Sequence, residues 1–345
     1  MTVENFGTRV ARDHKWTLPF QARFLVAGSV WFIATNAPEI LAAASDTFLP
    51  ADDGSPIDLK ISCLVDVELR AEKPWPQPHF RGLDQFVYAA FGTGGTMLID
   101  LHQRHVISTF SPAMAQDSSY WKRVILPILL GVTSAYLGVT PLHCACLVRD
   151  GQGLILAGAA GAGKSTLAVT LALNNFAFLS DEWTYFTQLG SRAQAWGLPT
   201  PVKLLPDAIK YFPQLAESEM APSLNGEVAY EVDPVAVFGV DRSLLCEPKW
   251  LVFVERTGGA RSFFRPIRSE DAFRRFAEEL EELPADISNM REQQLETIRA
   301  LVNRECWVLQ HSLQPDLLGE KLSEFCAALV PCQRSQDEPN VSRRT

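Results

Sequence analysis

An excess of basic residues is missing from this chain: 31 lysines and arginines stand against 40 aspartates and glutamates, a net charge of −9 over 345 residues. That balance argues against a general nucleic-acid binder, which carries a basic face, although a local basic pocket for phosphates stays compatible with it. A disulfide framework is missing as well. The seven cysteines (63, 144, 146, 246, 306, 326, 332) are odd in number and scattered through apolar runs, as expected of buried, reduced thiols in a cytosolic protein. Cys144 and Cys146 are the only close pair, and CxC without a second pair lacks zinc-site spacing. The first residues, with Glu4, Arg9, Arg12, Asp13 and Lys15, have no signal-peptide shape. One charge-free run, Val124 to Leu142, has the length of a bilayer span, but Pro127, Gly131, Gly138 and Pro141 interrupt it. It reads as a buried helix with a turn, and the chain as cytoplasmic, without membrane or nucleic-acid partners. No internal repeat is present.

What is there divides into three parts: a strand-rich N-terminal domain over 1–112, a catalytic domain over 113–332, and a polar, disordered tail over 333–345. In the first part Ile57, Leu59, Ile61 and Cys63 alternate with polar residues, the pattern of a half-buried strand. The phase slips at Leu64 before Val65, Val67 and Leu69 resume it, which predicts a bulge. Gly92-Thr93-Gly94-Gly95 lies between two apolar runs and reads as a hairpin turn rather than a phosphate loop. The second half alternates strand and helix: strands at 154–157, 176–180, 250–254 and 306–309, helices at 165–174, 289–302 and 315–330. A further helix opens at Ser269, which is placed to cap it.

Between the strand at 154–157 and the helix at 165–174 the pattern GxxxxGK[ST] is met in full by Gly158, Ala159, Ala160, Gly161, Ala162, Gly163, Lys164 and Ser165, with Thr166 next. Glycines let backbone N–H groups wrap an anion that side chains would obstruct, and the helix directs its positive end at the same charge. Lys164 supplies an ammonium for the β and γ phosphates, and the Ser165 hydroxyl is of the type that ligates Mg²⁺. A phosphate loop alone names a ligand and no reaction. Asp181 and Glu182 follow the next strand, whose end in a parallel sheet lies beside the loop. Two readings of them are open: a carboxylate that takes a hydroxyl proton or holds Mg²⁺, and a solvated pair capping a turn.

The order of histidine, strand, loop, helix and acid-ended strand, LHCACLVRDGQGLILAGAAGAGKSTLAVTLALNNFAFLSDE over 142–182, resembles the catalytic domain of the HPr kinase/phosphorylase family, relatives of phosphoenolpyruvate carboxykinase. His143 precedes Gly158 by fifteen positions and Asp181 follows it by twenty-three, intervals similar to the family's. The segment AVFGVDRSLL and the strand WLVFVER after it resemble the family's FG-containing loop and next strand. The resemblance implies an α/β, P-loop kinase domain of the HPr kinase/phosphoenolpyruvate carboxykinase type behind a strand-rich α+β N-terminal domain. It implies ATP and Mg²⁺ as cofactors, Asp181 as base, His143 near the phosphates, Glu182 as a metal residue, and a homo-oligomer. The family's acidic signature is absent as such. Ser223-Leu224-Asn225-Gly226-Glu227 stands there instead, leaving Glu227 as a candidate metal ligand. Lys203 and Arg242 are candidate cations for the phosphoryl group, each with a surface reading beside it. The expectation is a serine kinase acting on a peptide, protein or small molecule rather than on HPr itself. A small-metabolite kinase of the shikimate-kinase type and a non-catalytic nucleotide-binding module are the competing readings.

Overall fold

Strict alternation of buried and exposed residues along Gly95–Asp100 marks a sheet with one covered face. The computed structural model describes residues 17–222, 226–257, 262–280, 288–311 and 315–328, and the fold is mixed α/β. Among these residues β1 (Phe20–Val26), β2 (Ser29–Thr35), β3 (Leu49–Pro50), β4 (Leu59–Val65), β5 (His79–Leu83), β6 (Phe86–Ala90), β7 (Gly95–Asp100) and β8 (His105–Phe110) form one sheet in the order β3-β1-β2-β4-β8-β7-β6-β5. The Gly92 to Gly95 segment is the expected hairpin connection, with β6 and β7 antiparallel across it. The expected bulge is absent: β4 pairs with β8 in unbroken register from Lys60 to Val65 and then ends. Beyond it Val67 is exposed, so the later alternation there is a turn and not a strand. The covered face buries Trp31, Ile33, Ile61, Ile99 and Phe110 against helix Pro38–Ser45 and against Trp121, Leu126, Leu129 and Leu130 of the run that follows. That run is helical over Leu126–Thr133 and turns at left-handed Gly138, so the charge-free segment is core. Among the described residues no helix is long and apolar enough to cross a membrane.

The second sheet holds the site. Its strands are β9 (Thr140–Leu142), β10 (Ala145–Arg149), β11 (Gln152–Ala157), β12 (Ala177–Ser180), β13 (Thr184–Leu189) and β14 (Arg192–Trp196). A small sheet of β15 (Val202–Leu204), β16 (Met220–Pro222) and β17 (Val228–Val232) stands beside it, and β18 (Leu245–Arg256), β19 (Phe263–Ile267) and β20 (Cys306–His311) complete it. The order is β12-β10-β11-β18-β14-β13-β9, with β20 also against β18 and β19 against β20. β11, β18 and β20 run parallel, whereas β10 runs antiparallel to both of its neighbours, β11 and β12. The sheet is therefore mixed where a parallel one was expected. Two reversals nonetheless restore the direction, so β12 points the same way as β11. Helix Lys164–Leu173 is buried almost all round, with Leu167, Ala168, Val169 and Leu171 in a core shared with Leu318 and Leu322 of helix Pro315–Ala328. Helix Ser269–Glu279 begins one residue earlier than expected: Ser269 is its first residue and not its cap, Arg268 is the N-cap, and no side chain caps the turn. The tail 333–345 lies outside the described residues.

Candidate active site

The strand directions bring five segments to one edge of the sheet. In order across it stand Asp181 after β12, His143 ahead of β10, the loop from Gly158 after β11, Arg256 at the end of β18 and His311 at the end of β20. In the loop Gly158, Gly161 and Gly163 take φ of 144°, 76° and 93°, the left-handed region that glycine alone adopts without strain. A methyl group at Gly158 would also run into the Val254 carbonyl oxygen of β18. Ala162 N–H donates to the Ala159 carbonyl (3.1 Å), and Gly163 caps the helix that begins with Lys164. Lys164 curls back, its Nζ donating to the carbonyls of Gly158 (2.7 Å) and Ala159 (3.4 Å). Its ammonium is buried, and burial lowers its pKa against the pull of Glu279, Cys144, Asp181 and Glu182.

Asp181 is 5 % exposed. Burial, reinforced by the neighbouring Glu182 charge, raises its pKa from 3.8 to about 7, against hydrogen bonds from the Lys203 backbone N–H and the Ser165 side chain. The Lys203 N–H lies 3.3 Å from Oδ2. The Ser165 contact joins the first turn of the loop's helix to the end of β12, so the two acidic and phosphate-loop segments meet directly. The Ser180 and Thr184 hydroxyls share a 2.6 Å hydrogen bond and Thr184 donates to the Cys144 carbonyl (2.8 Å), which ties both flanks of Asp181-Glu182 to the start of β10.

His143 is half-buried, and burial and then the Lys164 charge hold its pKa below 6.5, so it is neutral at pH 7. Its ring lies 5.7 Å from that of Trp183, which is 45 % exposed. Glu182 is exposed beside them. The remaining candidates are engaged. Lys203 Nζ pairs with Glu227 at 2.7 Å, and Arg242, with a side chain only 16 % exposed, pairs with Asp233 at 2.8 Å. Arg242 is thus not the surface arginine that one reading of the sequence offered. Its backbone runs along β12, where Phe178 N–H donates to the Asp241 carbonyl and Ser243 N–H to the Phe178 carbonyl. Among the described residues no three His, Cys, Asp or Glu side chains group to hold a metal. Ser223, Leu224 and Asn225 lie outside the described residues.

The sequence reading missed four contributors. Trp183 directly follows Asp181-Glu182, and its size two positions past a candidate base was a usable signal. Ser165 as a partner of Asp181 was not anticipated. Glu279, at the end of helix Ser269–Glu279, lines the cavity beside the loop. It is exposed as a residue, but its carboxyl is shielded enough that burial raises its pKa while Lys164 lowers it. His311 is buried, with Nε2 3.1 Å from the Ala162 carbonyl; as donor it ties the loop to the end of β20. No spacing in the sequence links Glu279 or His311 to the loop.

No protein-family model matches the chain, and no curated protein matches it. Among solved structures it is similar to the Hpr(Ser) kinase/phosphatase from Coxiella burnetii, with 12% sequence identity over 55% of this chain and 97% of that one. The TM-score is 0.29, a weak likeness that assigns neither kinship nor activity.

Proposed function

We propose that the protein is an ATP- and Mg²⁺-dependent phosphotransferase that phosphorylates a hydroxyl, most simply that of a serine in a peptide, protein or small molecule. One observation carries the reading: a buried carboxyl with a pKa of about 7, Asp181, accepts a hydrogen bond from Ser165 at the end of the loop that also presents Lys164. A general base works best when its pKa lies near the working pH, and burial puts Asp181 there. In the transfer, Asp181 takes the proton of the acceptor hydroxyl as its oxygen attacks the terminal phosphorus. The bond from that phosphorus to the bridging oxygen breaks, and the nucleoside diphosphate leaves. Lys164 and the loop amides carry the charge that builds on the phosphoryl oxygens, and pre-set geometry supplies much of the acceleration. Ser165 and Glu182 offer the hard oxygen donors that Mg²⁺ takes, and Mg²⁺ when bound would neutralise phosphate charge. A few protein oxygens suffice for such a site, because the phosphates and water complete its shell. Glu227 is the least suited, since Lys203 already neutralises it.

The Ser165–Asp181 contact also favours a second reading, in which Asp181 holds the metal through Ser165 and water instead of taking the proton. The two part in Asp181→Asn: a metal role is recovered in part by raised Mg²⁺ or Mn²⁺, and a base role is not. Mass spectrometry of a peptide library and a lysate after incubation with labelled ATP and the purified protein tests the reaction itself. Phosphoserine products support the proposal. Phosphorylated small metabolites alone would favour a shikimate-kinase-type enzyme, and nucleotide binding without any product would favour a non-catalytic module.

A further inference from the structure

Resting on that reading, we infer that the donor's nucleoside lies in the cavity between the loop, the end of β18 and helix Ser269–Glu279, leaving the Asp181 side free for the acceptor. The cavity holds about 610 Å³ and is lined by Gly158 to Ala162, by Phe253 to Arg256 and by Arg275, Glu278 and Glu279. That is the size of a pocket for a drug-sized ligand. It opens from the β18 flank of the loop, whereas Asp181, His143 and Trp183 stand at the β12 and β10 flank. A polyphosphate laid along the loop has two ends. If the terminal phosphate faces Asp181, the substituted end faces the cavity.

The lining suits a flat heteroaromatic base carrying a sugar. Arg275 sits with its guanidinium 5.0 Å from the Phe253 ring centroid and is tied to Glu255 at 2.9 Å. Glu255 is itself fixed by Gln310 at 2.9 Å, and Phe253 by the Phe276 ring at 5.2 Å. The guanidinium is therefore pre-ordered, one face on an aromatic ring and one edge on a carboxylate. Its side chain is still 37 % exposed and lines the cavity, so it offers a ligand its other face, a planar cation that stacks on a purine. Glu278, exposed on the same helix, is an acceptor for ribose hydroxyls. Glu279 beside Lys164 marks where this chamber meets the phosphate mouth. A bare polyphosphate would use the loop and leave the chamber empty.

Calorimetric titration of the full chain with Mg·ATP and with Mg·tripolyphosphate tests this. The wild type is expected to bind ATP more tightly than tripolyphosphate. Arg275→Ala should weaken ATP about tenfold, the order of one shielded cation–π contact, and leave tripolyphosphate unchanged. Glu278→Ala should weaken ATP with the same selectivity, and Lys164→Met should weaken both ligands. If Arg275→Ala and Glu278→Ala both bind ATP as the wild type does, the nucleoside lies elsewhere and the inference fails while the kinase reading stands. Equal loss of both ligands in these variants would also overturn it, since the cavity would then act only through the loop. A wild type that binds neither ligand removes the phosphate-loop reading, and this inference with it.

Discussion

Replacing Asp181 by asparagine should stabilise the protein at pH 8 and should do so far less at pH 4.5. The folded protein holds the Asp181 carboxyl at a pKa of about 7, against 3.8 for the ordinary group, because the side chain is buried beside Glu182. Between those values the folded state keeps a proton that the unfolded chain has released. Stability therefore falls as pH rises from about 4 to about 7, and it is level with respect to this group above that. The gap of about 3 in pH corresponds to roughly 4 kcal/mol at 1.36 kcal/mol per step. Asparagine keeps an oxygen for the Ser165 or Lys203 donor but has no proton to lose, so the variant escapes the penalty. Any hydrogen bond it forfeits adds a pH-independent offset of about 1 kcal/mol and leaves the slope untouched. Urea unfolding followed by tryptophan fluorescence, for both proteins from pH 4.5 to 8.5, measures the difference. A difference that grows by several kcal/mol in favour of asparagine and flattens near pH 7 to 8 is expected. A difference flat to within about 1 kcal/mol would refute the burial argument for Asp181, and with it the case for a base tuned to neutral pH.

Further outcomes follow from the same geometry. Gly158→Ala should cost roughly 1–3 kcal/mol in unfolding free energy and abolish phosphate binding, because φ of 144° and the Val254 carbonyl leave a methyl group no room. Trp183→Ala should leave the thermal midpoint within about 2 °C, since the ring is 45 % exposed, and leave the nucleotide Kd unchanged while the acceptor KM rises several-fold. Thiol reagents should label Cys63, Cys144, Cys146, Cys246, Cys306 and Cys326 very slowly in the native protein at pH 8 and rapidly in urea. These six are buried, and burial pushes Cys63, Cys144 and Cys326 up to about 12.

The strand–loop–helix–strand unit was legible because its signals are local. The expected strand at 154–157, helix at 165–174 and strand at 176–180 correspond to Gln152–Ala157, Lys164–Leu173 and Ala177–Ser180. The turn at Gly92 was legible for the same reason. Ala145–Arg149 escaped notice: it is buried on both faces like its neighbours, so an apolar run there carries no sign of its antiparallel direction. The placement of Asp181 near the loop survived that omission only because two reversals cancel. The hairpin Thr184–Leu189 and Arg192–Trp196, and the small sheet that brings Lys203 to Asp181, were not read at all. The Nε2 of His311 reaches Ala162 across 149 positions, and such a contact is set by strand order alone. His311 nonetheless stands at the end of a strand parallel to β18, the side of such a sheet where ligands bind.

The most direct measurement compares phosphoryl transfer from labelled ATP to a hydroxyl acceptor by the wild type and by Asp181→Asn, with ATP binding measured in parallel on the same samples. The account predicts turnover by the wild type, binding by both, and transfer lowered at least a hundredfold in the variant at every Mg²⁺ concentration. Retained transfer in Asp181→Asn would contradict it, as would a wild type that binds no ATP.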